Sequence, residues 1–322
     1  MDHIQEVLGT KYPIIQGAMA QITDSRIAAA VSNAGGLGII ASGNADGEWV
    51  KSEIQNAKKL TDKPFGVNVM LLSPHVNEVL DVVCSEKVTH ITTGAGNPGK
   101  YMGMLKDAGV KVMPVVANVA LAVRCARNGA DAIIVEGQEA GGHIGEATTM
   151  ALVPQVCDSV DIPVIAAGGI ADGRGLAAAV MLGAEGIQVG TRFVVAKECV
   201  VSQEYKDMII KAGDSHTVVT GRSTGHPVRV LKNRMTKEIL SMESKGATEK
   251  ALNDKLTGAL RAAVVDGNIK YGSVMSGQIA GLVKKEQTAK EIIEDIFKEA
   301  KEVYEDRYAF FRSGFPVFGN GQ

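Results

Sequence analysis

His143 is the residue whose surroundings are best suited to proton transfer. It lies in the run Gly141–Gly145 (Gly-Gly-His-Ile-Gly), and no apolar segment surrounds it that would place the imidazole in a core. An imidazole changes charge near neutral pH, and glycines on both sides let another molecule approach it closely. The pattern predicts a catalytic acid or base, with an ordinary surface-loop histidine as the alternative.

Four other polar side chains stand at the ends of short apolar runs that are typical of buried strands. These are Gln16, Asn68, Thr93 and Glu136. Amide side chains can form paired hydrogen bonds with a ring that carries both carbonyl and N–H groups. The set lacks the cluster of histidines and carboxylates that a transition metal needs, so we expect an organic cofactor and no metal site.

Two glycine-containing turns are candidates for a phosphate site. The runs Gly168–Ile170 and Gly190–Arg192 follow the seventh and eighth apolar runs of the chain. Glycine lets the backbone approach an anion, and the amides at the start of a following helix donate hydrogen bonds to it. The alternative is that both are tight turns without a ligand.

The run Gly94–Gly99 (Gly-Ala-Gly-Asn-Pro-Gly) matches a dinucleotide-binding pattern and, with Lys100 and Tyr101, resembles a P-loop. Neither match is complete. No acidic residue near position 119 could bind a ribose, and Tyr101 replaces the serine or threonine that would hold magnesium. We interpret the run as a turn after a strand, with a substrate or cofactor contact as a further option.

The order of apolar runs predicts how these residues are brought together. Eight β-prone runs alternate with turns and helical patterns, which indicates parallel strands joined by helices. They are Pro13–Gln16, Leu37–Ile40, Phe65–Met70, Val88–Thr93, Lys111–Val116, Asp131–Glu136, Pro163–Gly168 and Gly186–Gly190. Eight such strands close a TIM (β/α)₈ barrel, whose functional residues lie at the carboxyl ends of the strands. An open, doubly wound sheet is the alternative fold.

Helix signals and a change of pattern after the eighth run divide the chain. Asp24–Asn33 and Asn118–Gly129 are predicted outer helices, and Thr288–Arg312 is predicted as a final helix that begins with a capping box. From Ser202 onward the pattern is charged and helical. We predict a cofactor-binding barrel in residues 1–201, a small helical insertion domain in 202–270, and a C-terminal segment, 271–322, that packs back on the barrel.

Composition limits the classes of function. The 322 residues are 45% hydrophobic and 22% charged, as in soluble globular proteins, and no apolar run is long enough to span a bilayer. The formal net charge of −2 provides no general attraction to nucleic acid or to anionic membranes. The first residues lack the pattern of a signal peptide, so we expect a cytoplasmic protein.

A basic stretch follows His226 in the predicted insertion. It contains Arg229, Lys232, Arg234 and Lys237. A solvated surface is the simpler interpretation, and a docking site for an acidic partner or a phosphate is the functional one.

Taken together, the motifs resemble those of the FMN-dependent enoyl-acyl-carrier-protein reductases of bacteria and of the wider nitronate monooxygenase (2-nitropropane dioxygenase) family. The matching segments extend over nearly the whole chain. They are Pro13–Met19, Pro64–Pro74, Thr92–Pro98, Glu139–Gly145, Ile162–Ile170, Gln188–Phe193 and Gly272–Gln278.

The resemblance implies an FMN-binding barrel and assigns residues to the cofactor. It implies that the flavin is bordered by Gly17, Ala18, Met19, Asn68 and Glu136, and that its phosphate is held by Gly168, Gly169, Gly190 and Thr191. Thr93, at the end of the fourth run, is also expected to contact the cofactor. The resemblance further implies that His143 is the catalytic acid or base, that NAD(P)H is the reductant, and that an acyl carrier protein bears the substrate. A homodimer is usual in the family, and a monovalent cation is an additional option that no residue here identifies.

Two activities remain open at this stage. One is NAD(P)H-dependent reduction of enoyl thioesters in fatty acid biosynthesis, and the other is oxidation of alkyl nitronates. The segments Thr220–Asn233 and Gly272–Glu286 are more similar to the reductases, so we expect the reductase activity. A flavin-binding sensor without turnover is a third interpretation, but it leaves His143 without a role.

Overall fold

A computed structural model describes residues 2–314 of the protein, and a barrel of parallel strands lies at its centre. The strands are β1 (Ile14–Gln16), β2 (Gly38–Ala41), β3 (Phe65–Met70), β4 (His90–Gly94), β5 (Lys111–Val116), β6 (Ile133–Glu136), β7 (Gly142–His143), β8 (Val164–Ala167), β9 (Gly186–Val189), β10 (Thr217–Thr220) and β11 (Val228–Leu231). Eight of them form one parallel sheet in the order β1-β9-β8-β6-β5-β4-β3-β2. The predicted TIM (β/α)₈ barrel is therefore confirmed.

The helices follow the strands in the alternating order expected for such a barrel. They are α1 (Asp2–Leu8), α2 (Ser25–Asn33), α3 (Gly47–Leu60), α4 (Val76–Ser85), α5 (Met102–Asp107), α6 (Val119–Arg127), α7 (Thr149–Cys157), α8 (Gly173–Met181), α9 (Thr191–Val194), α10 (Gln203–Ile210), α11 (Arg234–Ser244), α12 (Glu249–Leu256), α13 (Ala259–Val264) and α14 (Ala289–Gly314). None of the helices in the described part of the chain is long and apolar enough to cross a membrane.

Gln16 helps to close the barrel between its first and second strands. Its backbone N–H donates to Leu37 O at 2.9 Å, and its side-chain Oε1 accepts from Ile39 N–H at 3.0 Å. Its Nε2 donates to Gly17 O at 2.5 Å. The expectation that Gln16 offers its amide at the mouth is wrong, because both ends of this fully buried side chain are occupied by backbone groups.

Local capping signals confirm the predicted helix starts. The Asp24 side chain accepts from the N–H groups of the first turn of α2, and Asn118 does the same for α6. Before α14, Glu291 Oε2 accepts from Thr288 N–H at 2.8 Å and Thr288 Oγ1 accepts from Glu291 N–H at 3.2 Å. These contacts satisfy amides that have no partner inside the helix.

The core has an inner and an outer part. Inside the barrel, Ile15, Leu37, Ile39, Met113, Ile134 and Ile165 pack together, and Ile4 and Leu8 of α1 close the amino-terminal end. Alternate side chains of the same strands face outward and pack under the helices. The other, carboxyl-terminal end of the barrel is where the loops that follow each strand gather.

The region after β9 contains strands as well as helices. The sequence pattern predicts helices here, but β10 and β11 form an antiparallel hairpin that also pairs with β7. The β-branched runs of this hairpin are short, and the glycines around its turn, Gly221 and Gly225, have φ of +81° and +77°. The division into three parts at residues 201 and 270 stays a prediction. Helix α14 packs on α8, where Gly173 N–H donates to Glu299 Oε2 at 2.8 Å.

Candidate active site at the barrel mouth

Strand alternation decides which polar side chains face the barrel interior. Asn68 on β3 and Thr92 on β4 are opposite each other, and Asn68 Nδ2 donates to Thr92 Oγ1 at 2.9 Å. The neighbours of Asn68 in β3, Val67 and Val69, pack in the outer core. Asn68 and Thr92 therefore lie on the inner face, near the carboxyl ends of their strands.

Thr93 lies on the opposite face of β4 from Thr92. Its partner in register, Val69, packs in the outer core. Thr93 Oγ1 is buried, and no group in residues 2–314 forms a hydrogen bond with it. The expected contact between Thr93 and a cofactor gains no support from this geometry, and Thr92 is the threonine on the interior side.

Glu136 ends β6 on the interior face. It is two residues beyond Ile134, whose side chain belongs to the inner core. Burial disfavours the charged carboxylate and raises the pKa of Glu136 to about 7. Near neutral pH this side chain can therefore either donate or accept a hydrogen bond.

The turn after β1 lies beside the turn after β9. A Cβ placed on Gly17 would be 3.3 Å from Gln188 Cγ, and one placed on Gly190 would be 3.7 Å from Met19 Sδ. Ala18 packs against the inner core. The structure thus brings together three residues predicted to border a cofactor and adds Gln188, whose glutamine side chain the sequence analysis did not single out.

The two predicted phosphate turns are adjacent because β8 and β9 are parallel neighbours. Gly168 and Gly169 have φ of +86° and +77°, which L-residues with side chains rarely adopt. Within residues 2–314, the N–H groups of Gly169, Gly190 and Thr191 donate to no other protein group. Free amides in two neighbouring turns, two of them at the start of α9, suit an anion, as predicted for these turns.

Residues near the C-terminal end of the chain hold the second of these turns, the one that follows β9. Thr191 Oγ1 accepts from Gly277 N–H at 2.9 Å, which fixes the threonine side chain. Next to it, the buried Arg192 guanidinium donates to Gln287 Oε1, and Gln287 Nε2 donates to Asp295 Oδ2 of α14 at 2.7 Å. The turn after β9 is therefore held in place by residues 86 and 95 positions later in the chain.

The loop that carries His143 is held by the hairpin of β10 and β11. In the pairing of β7 with β11, His143 is opposite Val228 and Gly142 is opposite Arg229. Ile144 N–H then donates to Pro227 O at 3.1 Å. The glycine-rich loop is therefore a short strand of a three-stranded sheet at the carboxyl end of the barrel.

The His143 ring is exposed to solvent but lies in an environment that favours its neutral form. Partial burial lowers the pKa of His143, and the nearby His226 lowers it further. A neutral imidazole can accept a proton at one nitrogen and donate from the other. The predicted acid–base residue is thus available at the barrel mouth, with a second histidine close to it.

The run Gly94–Gly99 forms a closed turn. Residues Pro98–Tyr101 make one turn of 3₁₀ helix, and Asn97 Oδ1 accepts from Gly99 N–H at 3.0 Å and from Asn128 Nδ2 at 3.1 Å. The Asn97 side chain already accepts a hydrogen bond from the Gly99 N–H, which a phosphate would otherwise need. The preferred interpretation of this run as a turn after a strand therefore agrees with the structure.

The basic stretch is divided between the interior and the surface. Arg229 is buried, and its Nε and Nη2 donate to Gln138 O at 3.1 and 3.0 Å. Lys232, Arg234 and Lys237 are exposed, and Arg234 Nε donates to Glu238 Oε1 at 2.9 Å. Arg229 therefore does not belong to the predicted surface.

The chain is similar to known proteins along most of its length. The family model described as nitronate monooxygenase matches residues 2–81 and 76–299. A "probable nitronate monooxygenase" of Staphylococcus saprophyticus is 33% identical, with 92% of this chain and 97% of that protein covered.

Two further similarities concern a curated relative named as a dehydrogenase and a solved structure. A (3aS,4S,5R,7aS)-5-hydroxy-7a-methyl-1-oxo-octahydro-1H-indene-4-carboxyl-CoA dehydrogenase of Rhodococcus jostii is 34% identical, with 92% of this chain and 95% of that protein covered. The structure of FabK from Thermotoga maritima is 50% identical, with a TM-score of 0.93, and covers 95% of this chain and 98% of that one.

Proposed function

Since the chain belongs to the nitronate monooxygenase family, we propose that it is an FMN-dependent enoyl-acyl-carrier-protein reductase. In this proposal NAD(P)H supplies the electrons that reduce the trans-2 double bond of an enoyl thioester in fatty acid biosynthesis. The observation that carries the proposal is the 50% identity to FabK of Thermotoga maritima over 95% of the chain. The relative named as a carboxyl-CoA dehydrogenase also supports redox chemistry on a thioester.

The residues at the mouth suit a flavin, the cofactor that membership in this family supports, and we propose FMN. The free N–H groups of Gly169, Gly190 and Thr191 suit a terminal phosphate. Asn68, Glu136 and Gln188 provide amide and carboxyl groups on the inner side, where a polar ring edge needs hydrogen-bond partners. When bound, the flavin supplies the hydride transfer, and the protein supplies orientation and proton transfer.

His143 supplies the proton in the proposed reaction. Addition of a hydride to the β-carbon leaves negative charge on the α-carbon and the thioester oxygen, and a proton must then reach the α-carbon. The exposed His143 ring at the barrel mouth is the donor or, through a hydrogen bond, the group that stabilises this charge. Because its surroundings lower the pKa of His143, the protonated ring releases its proton more readily than an ordinary imidazolium does.

An acyl carrier protein bearing the substrate is the proposed partner. The exposed cations Lys232, Arg234 and Lys237 lie just beyond the hairpin that holds His143, and they would attract an acidic protein. A homodimer is proposed from the family alone.

Oxidation of alkyl nitronates is the second candidate function. It is favoured by the family model and by the relatives named as probable nitronate monooxygenases. His143 would then assist the oxidation by donating a hydrogen bond to the negatively charged oxygens of the nitronate.

Anaerobic half-reactions separate the two functions. In one sample the purified protein is reduced with NADH or NADPH, and its flavin absorbance is followed on addition of crotonyl thioester. In a second sample an alkyl nitronate is added to the protein with its flavin oxidised. Reoxidation of the reduced flavin by the enoyl thioester supports the reductase, and loss of the oxidised flavin absorbance on addition of the nitronate, without reoxidation by the thioester, supports the monooxygenase. A protein without a flavin spectrum, or one whose flavin responds to neither compound, contradicts both.

A further inference from the structure

Arg229 is a buried cation that lies outside the site described so far. It stands on β11, and its guanidinium donates two hydrogen bonds to Gln138 O and one to Thr217 Oγ1 at 3.3 Å. Gln138 follows Glu136 by two positions and begins the loop that leads to His143. The side chain thus connects the insertion to the first part of the catalytic loop.

The contacts of β11 hold this loop at two separate points. The backbone of β11 pairs with Gly142 and His143, and the Arg229 side chain binds the carbonyl of Gln138. The five residues from Gln138 to Gly142 are therefore held at both ends by one strand. They include Gly141 and Gly142, and glycines leave the backbone freedom that these contacts must remove.

A charged donor makes this contact strong. Hydrogen bonds from an ionised group are about twice as strong as neutral ones, and a guanidinium donates two of them in a fixed geometry. A lysine at the same place has one ammonium group and cannot reproduce the paired geometry. The choice of arginine therefore matters for the orientation of the loop as well as for its attachment.

We propose that Arg229 is a positioning residue for His143, which it serves by binding the Gln138 carbonyl and so setting the path of the catalytic loop. This inference rests on the proposed function, because it takes His143 as the proton-transferring residue. An insertion that follows the eighth barrel strand would then act on the loop after the sixth.

The test compares Arg229→Met with a matched control on the flavin-loaded enzyme. Arg261 is an exposed arginine on α13 of the same insertion, so Arg261→Met removes the same charge without touching the loop. Arg229→Met is expected to slow crotonyl thioester reduction about 10- to 100-fold, as expected for loss of a charged hydrogen bond that orients a catalytic group. The rate of flavin reduction by NAD(P)H and the KM for the thioester are expected to stay within about twofold of the parent. Arg261→Met should match the parent in all three.

Two further variants make the result decisive. Arg229→Lys is expected to recover part of the rate that Arg229→Met loses. Because lysine keeps the positive charge, Arg229→Lys also tests the proposal if Arg229→Met yields no folded, flavin-loaded protein. The double variant His143→Gln/Arg229→Met should be no slower than His143→Gln alone, because a residue that acts through His143 has no effect once the imidazole is gone. Multiplicative losses in the double variant, or a full rate in Arg229→Met or Arg229→Lys, overturn the proposal. Full activity of His143→Gln would instead overturn the proposed role of His143 itself.

Discussion

Glu136→Gln is expected to change how the stability of the protein depends on pH. The folded state raises the pKa of Glu136 from 4.5 to about 7 through desolvation. Below pH 4.5 the carboxyl is protonated in both the folded and the unfolded chain and has no effect on their balance. Between pH 4.5 and 7 the unfolded chain releases this proton while the folded chain keeps it, so the stability of the parent falls as the pH rises.

The size of the effect follows from the difference between the pKa of Glu136 in the folded chain and its pKa in the unfolded chain. A difference of one in pKa corresponds to about 1.4 kcal/mol, so the free energy of unfolding loses about 3 kcal/mol by pH 8 relative to pH 4.5. Glutamine has nearly the same shape and never ionises. The stability of Glu136→Gln relative to the parent should therefore increase steadily from about pH 5 and level off above pH 7.

Urea unfolding of the flavin-stripped protein at pH 5, 6, 7 and 8 measures this difference without a contribution from cofactor binding. The control is Glu48→Gln, because Glu48 is exposed on α3 and undergoes no comparable desolvation on folding. A difference between Glu136→Gln and the parent that stays constant from pH 5 to pH 8 would refute the argument that burial holds the proton on Glu136.

Further predictions concern the proton donor and the phosphate turns. His143→Ala should keep the flavin spectrum but lower the rate of enoyl thioester reduction about 100- to 10,000-fold in stopped-flow assays; full activity would remove His143 from its role. Because the pKa of His143 is lowered, a step that needs its protonated form should accelerate as the pH falls below about 6.5, and kcat/KM that rises with pH instead would assign it as a base. Gly168→Ala should lose flavin and stability more than Gly169→Ala. Both have positive φ, with a strain of about 1–2 kcal/mol for alanine, but only the Cβ at Gly168 would meet a backbone oxygen, Gly137 O at 2.8 Å. Flavin content and thermal unfolding of the two variants measure these losses. Equal losses in Gly168→Ala and Gly169→Ala would contradict the predicted clash with Gly137 O.

Much of the barrel could be predicted because its signals are short-range. Apolar runs, capping residues such as Asp24 and Asn118, and glycines after strands each act within a few positions of the chain. The closeness of the two turns predicted to bind phosphate also followed from the order of the strands, since neighbouring parallel strands end at the same side of the barrel.

Side-chain direction was harder to predict. Adjacent threonines at the end of β4 differ only in which face of the strand they occupy, and the register with β3 places Thr92 rather than Thr93 beside Asn68. A one-residue change of phase moves a side chain from the interior to the helix side. Gln16 has a suitable side chain and position for contact with a cofactor, but its side chain instead forms hydrogen bonds with backbone groups where the barrel closes.

The sequence by itself determined the succession of strands and helices and the glycine turns, and it singled out His143 as the candidate acid–base residue, because each depends on residues close together in the chain. Only the tertiary structure decided that the loop that carries His143 pairs with β11 and that Arg229 turns inward to Gln138, which is 91 positions away. Contacts over such separations leave no local pattern, since many distant carbonyls could accept from one arginine. Only the folded backbone places one of these carbonyls, that of Gln138, within hydrogen-bonding distance of Arg229.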